Sequence, residues 1–120
     1  MTARRVLVVE DDDSIREMVT LSLQDAGYKV FDARDGELAM QLLDQATPDV
    51  LLVDLRMPLM DGFEFMRRYT ERGGSAPVIV LSAARDVDFA HREILAAAII
   101  EKPFDLNDLL DTVERIAPPA

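Results

Sequence analysis

Short apolar runs alternate along the chain with longer stretches in which apolar residues recur every three or four positions, a pattern of strands separated by helices. The strand-like runs are VLVV (6–9), KVFDA (29–33), VLLV (50–53), VIVL (78–81) and AII (98–100). Several are near-continuous and rich in β-branched residues, as expected of parallel strands covered on both faces. Ile15, Met18, Val19, Leu23 and Ala26 form the first helical stripe, with Gly27 as its stop. Asp35-Gly36 opens a second stripe of Leu38, Leu42, Leu43 and Ala46. The turn Asp61-Gly62 leads into a third of Phe63, Met66 and Tyr69, ended by Gly73-Gly74. A weaker stripe of Phe89, Ile94 and Leu95 places a fourth helix from Asp86 to about Ala96. Leu106, Leu109, Leu110, Val113 and Ile116 give the fifth. Five βα units over residues 1–117 predict one α/β domain built on an open, doubly wound parallel sheet. Residues 118–120, Pro-Pro-Ala, are expected to be a tail or the start of a linker.

Such sheets bind ligands outside the carboxyl ends of their strands, so the polar residue closing each apolar run is informative. These are Glu10-Asp11, Asp54, Ser82 and Glu101-Lys102. If the strands are parallel, three carboxylates, a hydroxyl and an ammonium share one edge. Carboxylates with no His or Cys beside them suit a hard divalent cation, Mg²⁺ above all, with Mn²⁺ able to replace it. A carboxylate between metal and ammonium can act as a nucleophile towards phosphorus, with Ser82 and Lys102 neutralising the phosphoryl oxygens.

The stretch VVEDDDS, residues 8–14, sets four acids in a row against a buried strand edge. Two carboxylates about 4 Å apart cost on the order of 4 kcal/mol at an effective dielectric near 20. The run divides into two jobs. Glu10 and Asp11, nearest the strand, are the metal candidates. Asp12 and Asp13 favour the dipole of the first helix, for which Ser14-Ile15-Arg16-Glu17 forms a capping box. His91, the single histidine, is expected on a helix surface. Met57 and Met60, flanking Pro58, are expected to pack rather than to touch a cofactor.

Composition narrows the class. Of the 120 residues 49% are apolar, too many for a disordered chain despite a net charge of −10. That acidity argues against direct nucleic-acid binding, because phosphates would be repelled. The absence of cysteine excludes disulfides and thiolate metal sites and fits a cytoplasmic domain. The longest apolar run, residues 94–100, is far too short to span a membrane, and the N-terminus lacks the apolar core of a signal peptide.

The segments VLVVEDDDSIRE, PDVLLVDLRMPLMDGFE, PVIVLSA and IIEKPFD together resemble the receiver domain of two-component response regulators over essentially the whole chain. The resemblance implies a flavodoxin-like sheet of order 2-1-3-4-5 with five helices. It implies that Asp54 accepts a phosphoryl group from a sensor histidine kinase, a phosphotransfer protein or a small phosphodonor. Glu10 and Asp11 would form the acid pair of the Mg²⁺ site, with Asp11, Asp54 and the backbone carbonyl of Arg56 as direct ligands. Ser82 would be the switch hydroxyl and Lys102 its partner at the phosphoryl group. Lys102-Pro103 would be a cis peptide. The implied outcome is a phosphorelay switch, self-phosphorylating and self-dephosphorylating, that alters binding to a downstream effector or a covalently linked output domain.

Two departures stand out. Ile99 occupies the position where receivers carry Tyr or Phe, and an isoleucine cannot reproduce the inward swing of a ring. Leu95-Ala96-Ala97-Ala98 replaces a Gly-Ala followed by polar residues. Output is therefore expected through a different movement of the fourth-helix face. Arg56, two residues past the acceptor, is expected at the pocket mouth, either tuning phosphoryl lifetime or as a solvated charge.

Competing functions are separable. A phosphatase of the haloacid dehalogenase type needs a second Asp where Arg56 stands. An FMN-binding flavodoxin needs hydroxyls and amides where EDDDS stands. The alternative that survives is a degenerate receiver acting as a phosphorylation-independent interaction module.

Overall fold

The expected strands form, with ends shifted by a residue or two: β1 (Arg5–Val9), β2 (Lys29–Ala33), β3 (Val50–Asp54), β4 (Val78–Ala83) and β5 (Ala98–Lys102). Between and after them lie α1 (Asp13–Asp25), α2 (Gly36–Leu43), α3 (Gly62–Glu71), α4 (Val87–Glu93) and α5 (Leu106–Ile116). A single 3₁₀ turn, Ala84–Asp86, joins β4 to α4. The structure, a computed structural model, describes residues 3–93 and 96–120. Ile94 and Leu95 of the expected fourth stripe lie outside the described residues.

All neighbouring strands pair in parallel in the order β2-β1-β3-β4-β5, the flavodoxin-like arrangement. The period-two alternation of strand side chains splits the core into two layers. Val6, Val8, Val50, Leu52, Ile79 and Leu81 face α1 and α5, packing on Val19, Leu23, Leu109 and Val113. Leu7, Val9, Leu51, Val53, Val78 and Val80 face the other way, onto Ala39 of α2, Phe65, Met66 and Tyr69 of α3, and Ala90 of α4. Met60 is buried in this second layer and Met57 packs against it, as expected of packing residues. His91 is exposed on α4.

Helix ends follow local chemistry. α1 closes on Gly27, whose φ of +99° only glycine adopts cheaply. There the Gly27 N–H donates to the Gln24 carbonyl and the Tyr28 N–H to that of Leu23, the paired bonds of a Schellman stop. The N-terminus of α1 corrects the sequence reading. Asp12, not Ser14, is the cap: its carboxylate accepts from the Ile15 N–H at 2.9 Å, and α1 begins at Asp13, so Ser14 already lies within the first turn. Met18 also departs from its stripe and stands 42% exposed. Among the described residues, no helix is long and apolar enough to cross a membrane.

Candidate functional site

Register brings the polar strand ends together. Val9 pairs with Val53, so the next residues, Glu10 and Asp54, lie side by side beyond the shared edge of β1 and β3. Glu10, Asp54 and Lys102 each continue the row of alternate residues that faces α1 and α5. Lys102 Nζ donates to Glu10 Oε1 at 2.7 Å and lies 3.1 Å from Asp54 Oδ2. Carboxylate oxygens of Glu10, Asp11 and Asp54 all lie within 4.8 Å of one another. Glu10 is fully buried and Asp54 nearly so, while Asp11 is exposed at the rim. The Lys102–Pro103 peptide is cis.

The electrostatics express the crowding. Burial, the largest effect, and the neighbouring Asp54 carboxylate push Glu10 from 4.5 up to about 8, against the opposing pull of Lys102. Burial draws Lys102 down, but the Glu10 and Asp54 carboxylates outweigh it and hold the ammonium above its ordinary value. Three acids and one cation thus keep a proton that a divalent ion would displace. The donors are all hard oxygens, two of the carboxylates buried and one at the rim, and this set fits Mg²⁺.

Several residues hold the pocket in shape. Arg16 of α1 donates through Nη1 to the Glu10 carbonyl at 3.0 Å and pairs with Asp13 and Asp32, tying the start of α1 to the strand ends. Gly62 opens α3 directly against the end of β3. A Cβ there would sit 2.5 Å from the Asp54 carbonyl oxygen and 2.7 Å from the Leu55 Cα, both backbone atoms. Between them, Leu59 takes φ +68° in a tight turn in which the Met60 N–H donates to the Pro58 carbonyl at 2.8 Å.

Two expected members stand apart from the carboxylates. Ser82 is buried at the end of β4, but its row faces α4, and its hydroxyl donates to the Ala83 carbonyl at 3.0 Å. Ile99 lies half-buried in the same layer, paired in register with Val80. Arg56 lies at the mouth, its backbone N–H donating to Asp54 Oδ1 at 3.2 Å. Its guanidinium turns away to make a two-pronged ion pair with Asp86, at 2.9 and 2.6 Å. Hydrogen bonds from Arg56 hold the Asp86 carboxyl below its ordinary value, and Asp86 raises Arg56 in turn. Sequence reasoning missed Asp86, because nothing in its local pattern marks a partner thirty residues away.

The sequence model of the response regulator receiver domain matches residues 6–114. The regulatory protein AtoC of Escherichia coli is 35% identical over 118 residues, which are 96% of this chain and 26% of AtoC. Response regulator MprA of Mycolicibacterium vanbaalenii is 38% identical over 108 residues, 88% of this chain and 47% of MprA. This chain thus spans about a quarter to a half of the length of these relatives. Among solved structures, the chemotaxis protein CheY4 of Vibrio cholerae superposes with a TM-score of 0.83 at 35% identity, covering 96% of this chain and 99% of CheY4. A response regulator from Chloroflexus aurantiacus gives 0.86 at 33% identity, covering 96% and 98%.

Proposed function

The chain belongs to the response regulator receiver family, and we propose that it works as a phosphorylation-driven switch with Asp54 as the phosphoacceptor. The observation that carries this reading is the convergence of Glu10, Asp11, Asp54 and Lys102 at one corner of the sheet. An Asp54 oxygen attacks phosphorus, the bond to the donor breaks, and the leaving imidazole or acetate departs with the electron pair. Lys102 offers its ammonium to the transferring phosphoryl oxygens, and Ser82 becomes a second donor once its hydroxyl leaves the Ala83 carbonyl. Glu10, Asp11, Asp54 and the Arg56 carbonyl would hold Mg²⁺ or Mn²⁺, which supplies positive charge against the acidic pocket and the incoming phosphoryl group.

The donors that fit are a histidine kinase or phosphotransfer protein bearing phosphohistidine, and small acyl phosphates. The relatives' greater length supports an effector, linked or separate, as the receiver of the signal. A bound phosphoryl group adds about −1.5 to −2 charge and must favour one of two conformers for a signal to pass. The test is intact mass after incubation with Mg²⁺ and acetyl phosphate, beside Asp54→Asn. One added phosphoryl group, absent without Mg²⁺ and in the variant, is the expected result. If there is no adduct and the stable mimic beryllofluoride also fails to bind, the reading gives way to a phosphorylation-independent interaction module.

A further inference from the structure

We infer that the Arg56–Asp86 ion pair is a latch, which holds the Arg56 guanidinium off the acceptor and pins the turn that leads into α4 until a phosphoryl group on Asp54 takes the guanidinium over. The inference rests on the reading of Asp54 as phosphoacceptor. It goes further by giving the signal a path that needs no aromatic ring at position 99.

The geometry sets Arg56 between two anions. Its backbone N–H touches Asp54 Oδ1, so its side chain springs from beside the acceptor. The guanidinium spends both of its paired contacts on Asp86, in the turn that leads from β4 into α4. Arginine stays charged throughout, so the outcome is decided by which anion attracts it more. Asp86 offers one negative charge. A phosphoryl group offers about twice that, on three oxygens. Arg56 is 62% exposed and free to swing, whereas the Asp86 side chain is 8% exposed. Once abandoned, Asp86 keeps, among the cations of the described residues, only Arg85 nearby, at 3.8 Å, and the turn must open to rehydrate it.

The element so released is lightly held. Among the described residues of α4, Ala90 alone is fully buried, a small anchor. Phe89 adds an edge-to-face contact with Phe63 of α3 at 5.0 Å between ring centres. Ser82 and Ile99 lie in this same layer, so a shift at Asp86 reaches the face on which receiver output would be read.

The experiment measures beryllofluoride binding in Mg²⁺ by the whole chain and by a double-mutant cycle. Asp86→Ala frees Arg56, so it is expected to tighten binding about fivefold, the upper end for an ion pair with a solvated partner. The same change made on Arg56→Gln is expected to do nothing. A pair that merely braces the fold would show the opposite, with Asp86→Ala weakening or not altering binding in both backgrounds. The unmodified protein gives an independent readout that survives a poorly folding variant. On beryllofluoride binding, the Arg56 Nε–Hε resonance should shift, and amide exchange across residues 84–90 should accelerate. Binding without either change overturns the latch and leaves the acceptor intact. No binding at Asp54 overturns the acceptor reading and the latch with it.

Discussion

Lys102 Nζ, at the last residue of β5, donates to Glu10 Oε1, one residue past β1, across 92 positions of sequence. The contact places one ammonium against a fully buried carboxylate, with Asp54 as the third party at 3.1 Å. A charge in that place balances the resting pocket and, on the reading proposed above, would also neutralise incoming phosphoryl oxygens.

Lys102→Met separates the two. Loss of one such electrostatic partner typically costs about 10²–10³ in rate, so labelling by acetyl phosphate should slow by at least about a hundredfold. Stability should respond differently with pH. At pH 6 Glu10 already carries its proton, so the variant loses only the Lys102–Asp54 pairing and its melting temperature should fall by the smaller amount. At pH 9 the ionised Glu10 has lost its partner, and the fall should be larger. Thermal melts at the two pH values check this, and an equal loss at both would refute the assignment of that proton to Glu10.

The same proton links metal binding to pH. Glu10 sits near 8 in the folded, ion-free pocket and near 4.5 when unfolded. The folded state therefore binds protons more tightly, and this contribution to stability is full below 4.5 and lost as pH rises towards 8. Mg²⁺ favours the ionised carboxylate and so competes with the proton. The rise in melting temperature on adding Mg²⁺ to the EDTA-treated protein should grow from pH 6 to about pH 8 and then level off. A shift that is flat over this range would place the competing proton elsewhere.

Gly62→Ala tests how closely α3 must approach the acceptor strand. The new methyl would meet the Asp54 carbonyl and the Leu55 Cα, neither of which can swing aside. Overpacking of this kind costs typically about 1–3 kcal/mol, and urea unfolding should show a loss in that range. Because the clash moves Asp54 itself, Mg²⁺ affinity should drop as well. An alanine variant of unchanged stability would mean that the loop before α3 has room to yield.

The strands, the helices and the acidic pocket were legible because each follows from a local rule. Continuous β-branched runs mark buried strands, and parallel pairing then sends every strand's end to one edge. What escaped depends on faces and on distant pairing. Ser82 closes its apolar run as Asp54 closes β3, but β4 runs on to Ala83 and Ser82 falls on the row facing α4, so its resting hydroxyl bonds to Ala83 instead of joining the carboxylates. Asp86 is one acid among 23 acidic residues, and only the folded chain brings it to Arg56. Arg16 has the same character, since its hold on the Glu10 carbonyl depends on how α1 packs over β1.

The acid run itself supplies the last prediction, because its two halves should fail in different ways. Asp12 caps α1 through the Ile15 N–H, and its own carbonyl accepts from Arg16 at 2.9 Å, so it belongs to the helix. Asp12→Ala should cost about 0.5–2 kcal/mol of stability, the usual value of an N-cap, while phosphorylation by acetyl phosphate persists. Asp11 is exposed and its oxygen lies within 4.8 Å of those of Glu10 and Asp54. Asp11→Asn removes one negative charge from a crowded trio, so the ion-free protein should be as stable as before or slightly more so. Its Mg²⁺ affinity and its labelling should collapse together. Urea unfolding and intact mass on both variants decide the matter, and loss of labelling in Asp12→Ala at full stability would move the metal site one residue along the chain.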